Sequence, residues 1–212
     1  MVIDERRRDH WEAVHTGKGA DRLSWYQAHP DVSLGLIEQS RVGKDARIID
    51  VGGGTSRLVD LLLERGYEHL TVLDIAEKAL EMTRARLARC GGSKVTWIQA
   101  DITEWEPGGR YDVWHDRAVF HFLTAPSDRE AYRARLASGL KADGHLIIGT
   151  FALDGPARCS GLPVVRYSPG CLSRELGNDF TLVESTTEDH YTPGGVLQRF
   201  QFSRFVHRPA SS

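Results

Sequence analysis

The sequence predicts an α/β fold: an open, doubly wound, mostly parallel sheet with helices on both faces. From residue 46 onward, short β-rich segments alternate with helical ones, the pattern of parallel strands joined by crossover helices. The first strand ends in an acid and runs into three glycines, within Ile48 to Ser56. Acids also follow the second and third strands, at Asp74 and Asp101. Ligands bind beyond the carboxyl ends of such strands, so a site is expected there.

Each element of this core has its own signal. Apolar or alternating segments predict strands at Ala46 to Val51, His69 to Leu73, Val95 to Gln99, Tyr111 to Trp114 and Gly144 to Phe151. Helical spacing of apolar residues predicts helices at 56–65, 77–90 and 129–140, the second closed by Gly91 and Gly92.

The two ends of the chain differ from this core. Glycine and proline predict an irregular loop over 153–171. After it, Phe180 to Ser185 and Val196 to Val206 predict an antiparallel hairpin at one sheet edge. Further helices are expected at 5–15 and 31–40. We expect one domain: a helical N-terminal cap over 1–45, a core over 46–206 and a tail over 207–212.

The composition argues against several classes of protein, namely nucleic-acid-binding, membrane-spanning, disulfide-rich and metal-binding proteins. The 212 residues suffice for one core, and 27 Lys and Arg against 29 Asp and Glu give no electrostatic attraction to nucleic acid or anionic membranes. No apolar run approaches the ~20 residues that cross a bilayer. Cys90, Cys159 and Cys171 are too scattered for a disulfide framework or a metal site. A cytoplasmic protein without a metal is the expectation.

The glycine run Gly52 to Gly54 brings backbone against a ligand, because glycine lacks Cβ and tolerates positive φ. A nicotinamide cofactor is one candidate, since Asp74 follows at about the 20-residue spacing at which an acid holds ribose hydroxyls. Asp50 argues against it, because a carboxylate repels pyrophosphate and attracts ammonium and sulfonium groups. Arg57 stands in place of the third glycine of Gly-x-Gly-x-x-Gly.

The pattern acid-x-Gly-x-Gly at Asp50 to Gly54, with Asp74 and Asp101 after the next strands, resembles that of class I S-adenosylmethionine-dependent methyltransferases. The resemblance covers about residues 46–206. It implies a Rossmann-like, seven-stranded sheet with an antiparallel last strand, and S-adenosylmethionine as cofactor. Asp74 would then accept from the ribose, Asp101 and Ile102 would face the adenine, and the glycines would lie under the methionine. The cofactor residues so implied are Asp50, Gly52, Gly53, Gly54, Asp74, Ile75, Asp101, Ile102 and Asp116.

The segment after the fourth strand, His115 to Phe122, is expected to line the point of methyl transfer. It lacks the Asn/Asp-Pro-Pro-Tyr/Phe segment of many amino-group methyltransferases, which disfavours DNA adenine or glutamine as acceptor. Its Asp116-Arg117 pair looks more like the thiopurine-methyltransferase type and somewhat like lysine methyltransferases. His115 and His121 are candidate general bases or simply packed histidines, and Asp116 and Arg117 are candidate catalytic residues or a structural ion pair.

Several residues are candidates for binding the acceptor. Trp11, Trp25 and Tyr26, with His29, either fold across the open site as a lid or pack under the first helix. Cys159 either binds a soft acceptor or metalloid or is an inert buried thiol, and Arg166 is a candidate for an anionic acceptor.

These features predict a methyltransferase for a small-molecule acceptor, with a thiol or other soft nucleophile ahead of oxygen and amine. A protein-lysine methyltransferase and a non-catalytic regulator that binds S-adenosylmethionine or a nucleotide are the alternatives. A monomer or homodimer is expected, with neither nucleic acid nor membrane as a partner.

Overall fold

The structure, a computed structural model, describes residues 5–17, 19–88 and 92–209, residue 93 by its backbone alone. Its helices are α1 Glu5–Gly17, α2 Asp31–Gln39, α3 Leu58–Glu64, α4 Glu77–Leu87, α5 Pro126–Gly139 and α6 Pro169–Leu176. Its strands are β1 Arg47–Val51, β2 His69–Asp74, β3 Val95–Gln99, β4 Tyr111–Arg117, β5 Leu140–Phe151, β6 Arg158–Cys159, β7 Leu162–Pro163, β8 Phe180–Tyr191 and β9 Leu197–His207. Cys90 and Gly91, where the sequence predicts a helix end, lie outside the described residues.

Seven of these strands form one sheet in the order β3-β2-β1-β4-β5-β9-β8. The first five are parallel, and β9 runs antiparallel to both β5 and β8. The predicted Rossmann-like sheet with an antiparallel last strand is thus confirmed. The strand order reverses between β1 and β4, where a crevice opens at the carboxyl ends. The register there places Asp50 beside His115 and Val51 beside Asp116.

The sheet buries both of its faces. Successive residues of a strand point to opposite sides, so Ile48 packs into a cluster with α2, α3 and α4, whereas Ile49 packs into one with α5 and α6. Both side chains are fully buried. Burial of one such side chain stabilises the fold by about 1.5–3 kcal/mol. Two covered faces explain why the parallel strands read as continuous apolar runs.

Strand β4 is longer than the sequence predicts. Its expected end is Trp114, but pairing with β5 continues as far as Arg117, opposite Gly149. His115, Asp116 and Arg117 therefore lie on the strand rather than after it. Because side chains alternate along a strand, His115 and Arg117 share one face of the sheet and Asp116 occupies the other.

The last third contains more regular structure than expected. Within the predicted irregular loop, β6 pairs with β7 and α6 begins. The Ser168 hydroxyl caps α6 by accepting from the Cys171 N–H at 3.2 Å, and Pro169 fits the first helical turn. The predicted hairpin is present as β8 and β9. His207, assigned to the tail from the sequence, pairs with Phe180 in that hairpin and is buried.

Helix α1 is tied to loops at the carboxyl ends of the parallel strands. The Glu12 carboxylate accepts from the Glu77 and Lys78 N–H groups, at 2.7 and 3.2 Å. An acid at a helix N-terminus is favourable because the first N–H groups of a helix have no partner within it. In the described part of residues 1–45, α1 and α2 form near the helices expected at 5–15 and 31–40, and residues 23–30 between them are not helical. Over that same part of the chain, none of the helices has both the length and the apolar character needed to span a bilayer.

Candidate cofactor and acceptor site

Two adjoining cavities open at the carboxyl ends of the parallel strands. The larger encloses about 870 Å³ of space, including solvent at its mouth, and the smaller about 480 Å³. Gly52, Thr55, Trp25 and Arg117 line both, so the two cavities adjoin at these residues.

The glycine loop forms the floor where the cavities meet. Gly52 has φ +66° and Gly54 φ +36°, which L side chains rarely adopt. A Cβ on Gly53 would lie 2.6 Å from the Asp50 Oδ2 atom, and one on Gly54 would lie 2.7 Å from the Asp74 Oδ2 atom. Glycine is therefore required here to let the backbone approach two carboxylates, and any side chain would displace them.

Asp50 is held by a buried chain of hydrogen bonds. Its Oδ1 atom lies 2.7 Å from His115 Nδ1, and His115 Nε2 lies 2.9 Å from the Ser33 hydroxyl. With Nδ1 donating to the carboxylate, a neutral imidazole accepts the Ser33 proton at Nε2. Asp50 Oδ2 has no hydrogen-bond partner among the described residues, although it is buried. That free acceptor fits an ammonium group in the smaller cavity, which Asp50 lines.

Asp74 ends β2 and lines the larger cavity together with Ile75. Its Oδ1 atom accepts from the Ala76 N–H at 2.9 Å. Burial raises the pKa of Asp74 to about 7, the nearby Asp50 and Glu12 carboxylates add to the rise, and the Ala76 hydrogen bond opposes it. This carboxyl group therefore titrates near neutral pH, and hydroxyl donors from a ligand would favour its ionised form.

Asp101 lies at the far end of the same cavity, beside Ile102. Its Oδ1 atom accepts from the Thr103 N–H and hydroxyl at 2.9 and 2.7 Å, and its Oδ2 atom accepts from Arg7 at 2.9 Å. Arg7 also binds Asp128, at 2.7 Å, and so links α1 to the loop after β3 and to the first turn of α5. Local charge patterning in the sequence does not show this contact, because Asp101 lies 94 residues from Arg7 along the chain.

Asp116 lines neither cavity, contrary to its expected cofactor and catalytic roles. It lies on the opposite face of β4, fully buried, where it accepts from the Val119 N–H at 2.9 Å and the Tyr132 hydroxyl at 2.8 Å. Burial raises the pKa of Asp116 to about 6, and these hydrogen bonds lower it. The expected ion pair with Arg117 is absent from the described contacts, since the two side chains point to opposite faces. Asp116 instead fixes the turn after β4.

His121 also lies outside both cavities. It is fully buried, and its Nδ1 atom accepts from the Phe151 N–H at 3.3 Å. Burial, with a smaller contribution from Arg117, lowers the pKa of His121 to about 3. The imidazole is therefore a neutral, weakly basic packing group between Phe122 and Phe151, and its geometry gives no support to the general-base role.

Aromatic rings from the N-terminal segment line the larger cavity beside the glycine loop. Trp11 meets Trp25 edge to face at a centroid distance of 5.8 Å and Phe122 at 4.9 Å. Tyr26 lines the smaller cavity. The three expected acceptor aromatics are therefore at the site, whereas His29 is exposed and lines neither cavity.

His15 is a cavity residue that sequence reasoning missed. It is 5% exposed, contacts Trp25 at a ring distance of 5.8 Å, and burial lowers its pKa to about 4. It follows Trp11 by four positions on α1, so helical spacing from Trp11 was the signal that could have found it.

Of the two acceptor candidates from the loop after β5, the structure places one at the cavity. Cys159 lines the larger cavity, and burial raises the pKa of its thiol. Arg166 is exposed, donates to the Gly155 carbonyl at 3.2 Å and lines neither cavity. The expected role of Arg166 in binding an anionic acceptor therefore lacks support. Arg117 on β4 and Arg7 on α1 line the larger cavity instead.

Residues 48–144 match the family model for a methyltransferase domain. This match agrees with the resemblance of residues 46–206 to class I S-adenosylmethionine-dependent methyltransferases. The chain is 36% identical over 105 residues to a malonyl-[acyl-carrier protein] O-methyltransferase of Anoxybacillus flavithermus, which covers 49% of this chain and 38% of that protein. It is 30% identical over 114 residues to a trans-aconitate 2-methyltransferase of Rhizobium leguminosarum, covering 53% of this chain and 41% of that protein. The chain thus spans about two fifths of the length of these curated relatives.

Solved structures with this fold cover nearly the whole chain. The N-methyltransferase NodS from Bradyrhizobium japonicum, in complex with S-adenosylhomocysteine, has a TM-score of 0.74 at 18% identity, and the match covers 95% of this chain and 100% of NodS. A structure from echinomycin biosynthesis, concerning conversion of a disulfide bond into a thioacetal, has a TM-score of 0.77 at 18% identity, with 96% and 94% covered. At such identity these likenesses show the fold alone.

The residues of this site fit S-adenosylmethionine, the cofactor of class I S-adenosylmethionine-dependent methyltransferases. Two of the glycines adopt positive φ where a Cβ would meet other groups, and Asp50 keeps a buried acceptor without a partner among the described residues. Asp74, with its raised pKa, is suited to accepting from hydroxyl donors. The preference for a cationic cofactor over a pyrophosphate, argued from Asp50, agrees with the family.

Proposed function

We propose that this chain transfers a methyl group from S-adenosylmethionine to a small-molecule acceptor. The observation that carries the proposal is the continuity of one cavity. It runs from the carboxylates Asp74 and Asp101, across the glycine loop, to a wall of aromatic side chains supplied by the N-terminal segment. A donor and a small acceptor both fit in a site of this kind, shielded from water.

Different residues bind different parts of S-adenosylmethionine. Asp74 is the acceptor for the ribose hydroxyls, Asp101 and Ile102 face the adenine, and Asp50 uses its free Oδ2 atom for the ammonium end. His115 and Ser33 keep Asp50 in place. When bound, S-adenosylmethionine supplies an electrophilic methyl carbon, which an in-line nucleophile takes while the carbon–sulfur bond breaks and sulfur keeps its electron pair. Positioning of the two partners supplies much of the rate.

The acceptor brings its own nucleophilic atom. Among the described side chains that line the larger cavity, His15 has a lowered pKa of about 4, which makes it a weak base, and the pKa of Cys159 is raised. An acceptor that is already ionised, or a soft nucleophile such as a thiol, needs no strong base. The relatives named above are O-methyltransferases or methyltransferases of a small acid, which is compatible with an anionic oxygen acceptor.

A protein-lysine acceptor is the second candidate. It is favoured by 28% identity over 109 residues to EEF1A lysine methyltransferase 2 of Danio rerio, of which the chain covers 46%. Against it stands the placement of α1 over the cavity, with Arg7 bound to Asp101 and Asp128, because a protein side chain would have to pass this helix.

Incubation with methyl-labelled S-adenosylmethionine separates these functions. We expect label in the low-molecular-weight fraction of a metabolite extract. Label confined to protein bands of a lysate would overturn the small-molecule acceptor, and label in neither would favour the non-catalytic regulator. Calorimetry with S-adenosylhomocysteine and with NAD completes the test, since tight binding of NAD alone would overturn the methyl donor.

The cytoplasmic location and the monomeric or homodimeric state expected from the sequence belong to the same proposal. Light scattering during size-exclusion chromatography would measure the assembly, and a tetramer or larger species would contradict it.

A further inference from the structure

Arg117 is a buried cation whose hydrogen-bonding capacity is largely unused. Its side chain is 11% exposed, and its Nη1 group donates to the Trp25 carbonyl at 3.0 Å. The Nε and Nη2 groups have no hydrogen-bond partner among the described residues. Burial lowers the pKa of Arg117 to about 10, so the guanidinium stays charged at neutral pH. Buried N–H groups without partners are rare and costly, which points to a ligand.

Two carboxylates, Glu188 and Asp50, act electrostatically on Arg117, and neither accepts a hydrogen bond from it among the described contacts. Glu188 Oε2 lies 3.9 Å from Nη2, beyond hydrogen-bond distance, and Glu188 Oε1 accepts from Gln27. Glu188 therefore offsets the charge without occupying the N–H groups. Arg7, the other arginine on the cavity wall among the described residues, differs because two carboxylates already satisfy it.

The unpaired groups are the two that point to the same side of a guanidinium. Nε–H and the outer N–H of Nη2 are parallel donors, spaced to meet both oxygens of one carboxylate. The opposite side is held by the Trp25 carbonyl, and the guanidinium carbon lies 4.3 Å from the Phe200 ring centroid. The arginine is thus fixed in orientation before any ligand binds, which reduces the entropy lost on binding.

The surroundings define the rest of the ligand. Trp11, Trp25, Phe122 and Phe200 line the same cavity, and they offer apolar surface to a planar body. An anionic group at Arg117 would also be attracted by a sulfonium bound above the glycine loop, whereas a cationic acceptor would be repelled by both charges.

We propose that Arg117 binds a carboxylate of the methyl acceptor, whose flat apolar body packs against the aromatic wall. The inference rests on the proposed function and narrows it to acidic small molecules. Arg117 takes the anion-binding role that the sequence suggested for Arg166, which the fold leaves exposed on a loop.

Cinnamate and cinnamamide are suitable probes, because they share a planar skeleton and differ in charge. Calorimetric titrations use the protein saturated with S-adenosylhomocysteine. We expect cinnamate to bind at least about tenfold more tightly than cinnamamide, the minimum expected for hydrogen bonds to a charged group. Arg117→Gln is expected to remove this preference, and Arg117→Lys, which keeps the charge but loses the parallel donors, is expected to keep only part of it. Arg166→Gln is the matched control and is expected to behave as wild type.

Each outcome of these titrations supports or overturns the inference. Equal affinity for cinnamate and cinnamamide, or binding of neither, would overturn the inference about Arg117. If S-adenosylhomocysteine still binds in that case, the proposed function is not contradicted. Absence of S-adenosylhomocysteine binding would contradict the proposed function itself. If Arg117→Gln weakens S-adenosylhomocysteine more than tenfold and leaves the cinnamate preference intact, Arg117 serves the cofactor and the inference is wrong. Should that variant fail to fold, as monitored by circular dichroism, Arg117→Lys carries the comparison.

Discussion

The two ends of the cavity are built in opposite ways. At the end of β3, Asp101 is fully engaged by Thr103 and Arg7. At the end of β4, Arg117 keeps two donors without partners among the described residues and lies amid aromatic rings. The first end is a preformed polar frame, suited to a ligand of fixed shape. The second combines one anchoring charge with an apolar wall, which is suited to selecting among acceptors.

The largest expected effect comes from removing the carboxylate between these ends. Asp74→Ala is expected to weaken S-adenosylhomocysteine binding about 100-fold, because two charge-assisted hydrogen bonds to the ribose would be lost. Calorimetry measures the affinity, and Glu81→Ala is the control, since Glu81 pairs with Lys78 on the surface of α4. Unchanged affinity for Asp74→Ala would show that Asp74 does not bind the ribose hydroxyls.

The raised pKa of Asp74 makes cofactor binding depend on pH. With a pKa of about 7, the ionised fraction rises about tenfold between pH 6 and pH 8, and hydroxyl donors bind the ionised form. The affinity for S-adenosylhomocysteine is therefore expected to rise by about that factor over this range. The facing Asp50 and Glu12 carboxylates support the high pKa, as does burial. Asp74→Asn is expected to flatten the profile, and a profile unaltered by that change would assign the dependence to another group.

A smaller effect is expected at the link between α1 and the polar frame. Arg7→Gln removes the bonds to Asp101, which is buried, and to Asp128, which is partly exposed. An exposed ion pair contributes roughly 0.2–1 kcal/mol. We expect S-adenosylhomocysteine to dissociate about threefold faster in stopped-flow measurements, with less difference at high salt. Arg8→Gln is the matched control, because Arg8 pairs with Asp9 on the same helix. Identical rates for both variants would show that α1 does not retain the ligand.

The smallest effect on binding is expected on the far face of β4. Tyr132→Phe removes a buried hydroxyl that donates to Asp116 and accepts from Trp114. Loss of these bonds is expected to lower the free energy of unfolding by about 1–3 kcal/mol and to change S-adenosylhomocysteine affinity by less than twofold. Urea denaturation and calorimetry measure the two quantities. A large loss of S-adenosylhomocysteine affinity without a lower free energy of unfolding would indicate that Asp116 contributes to cofactor binding after all.

Much of the fold followed from the chain itself. Alternating apolar segments and glycine turns predicted the parallel strands and the final hairpin, because periodicity and turn chemistry are local properties. The predicted end of β4 was too early and helix α6 was not predicted, because both depend on neighbours. Strand β4, for example, continues to Arg117 because β5 pairs with it there.

For the site, local sequence determined the glycine loop and the acids after the first three strands, since their chemistry follows from residue type and position at a strand end. Tertiary structure decided which of the adjacent residues on β4 faces the cavity. His115 and Arg117 do and Asp116 does not, because side chains alternate along a strand whose length the sequence underestimated. It also brought Arg7, His15 and Ser33 to the site from the N-terminal helices. Contacts between residues so far apart in the chain exist only once the sheet has formed and α1 has packed against it.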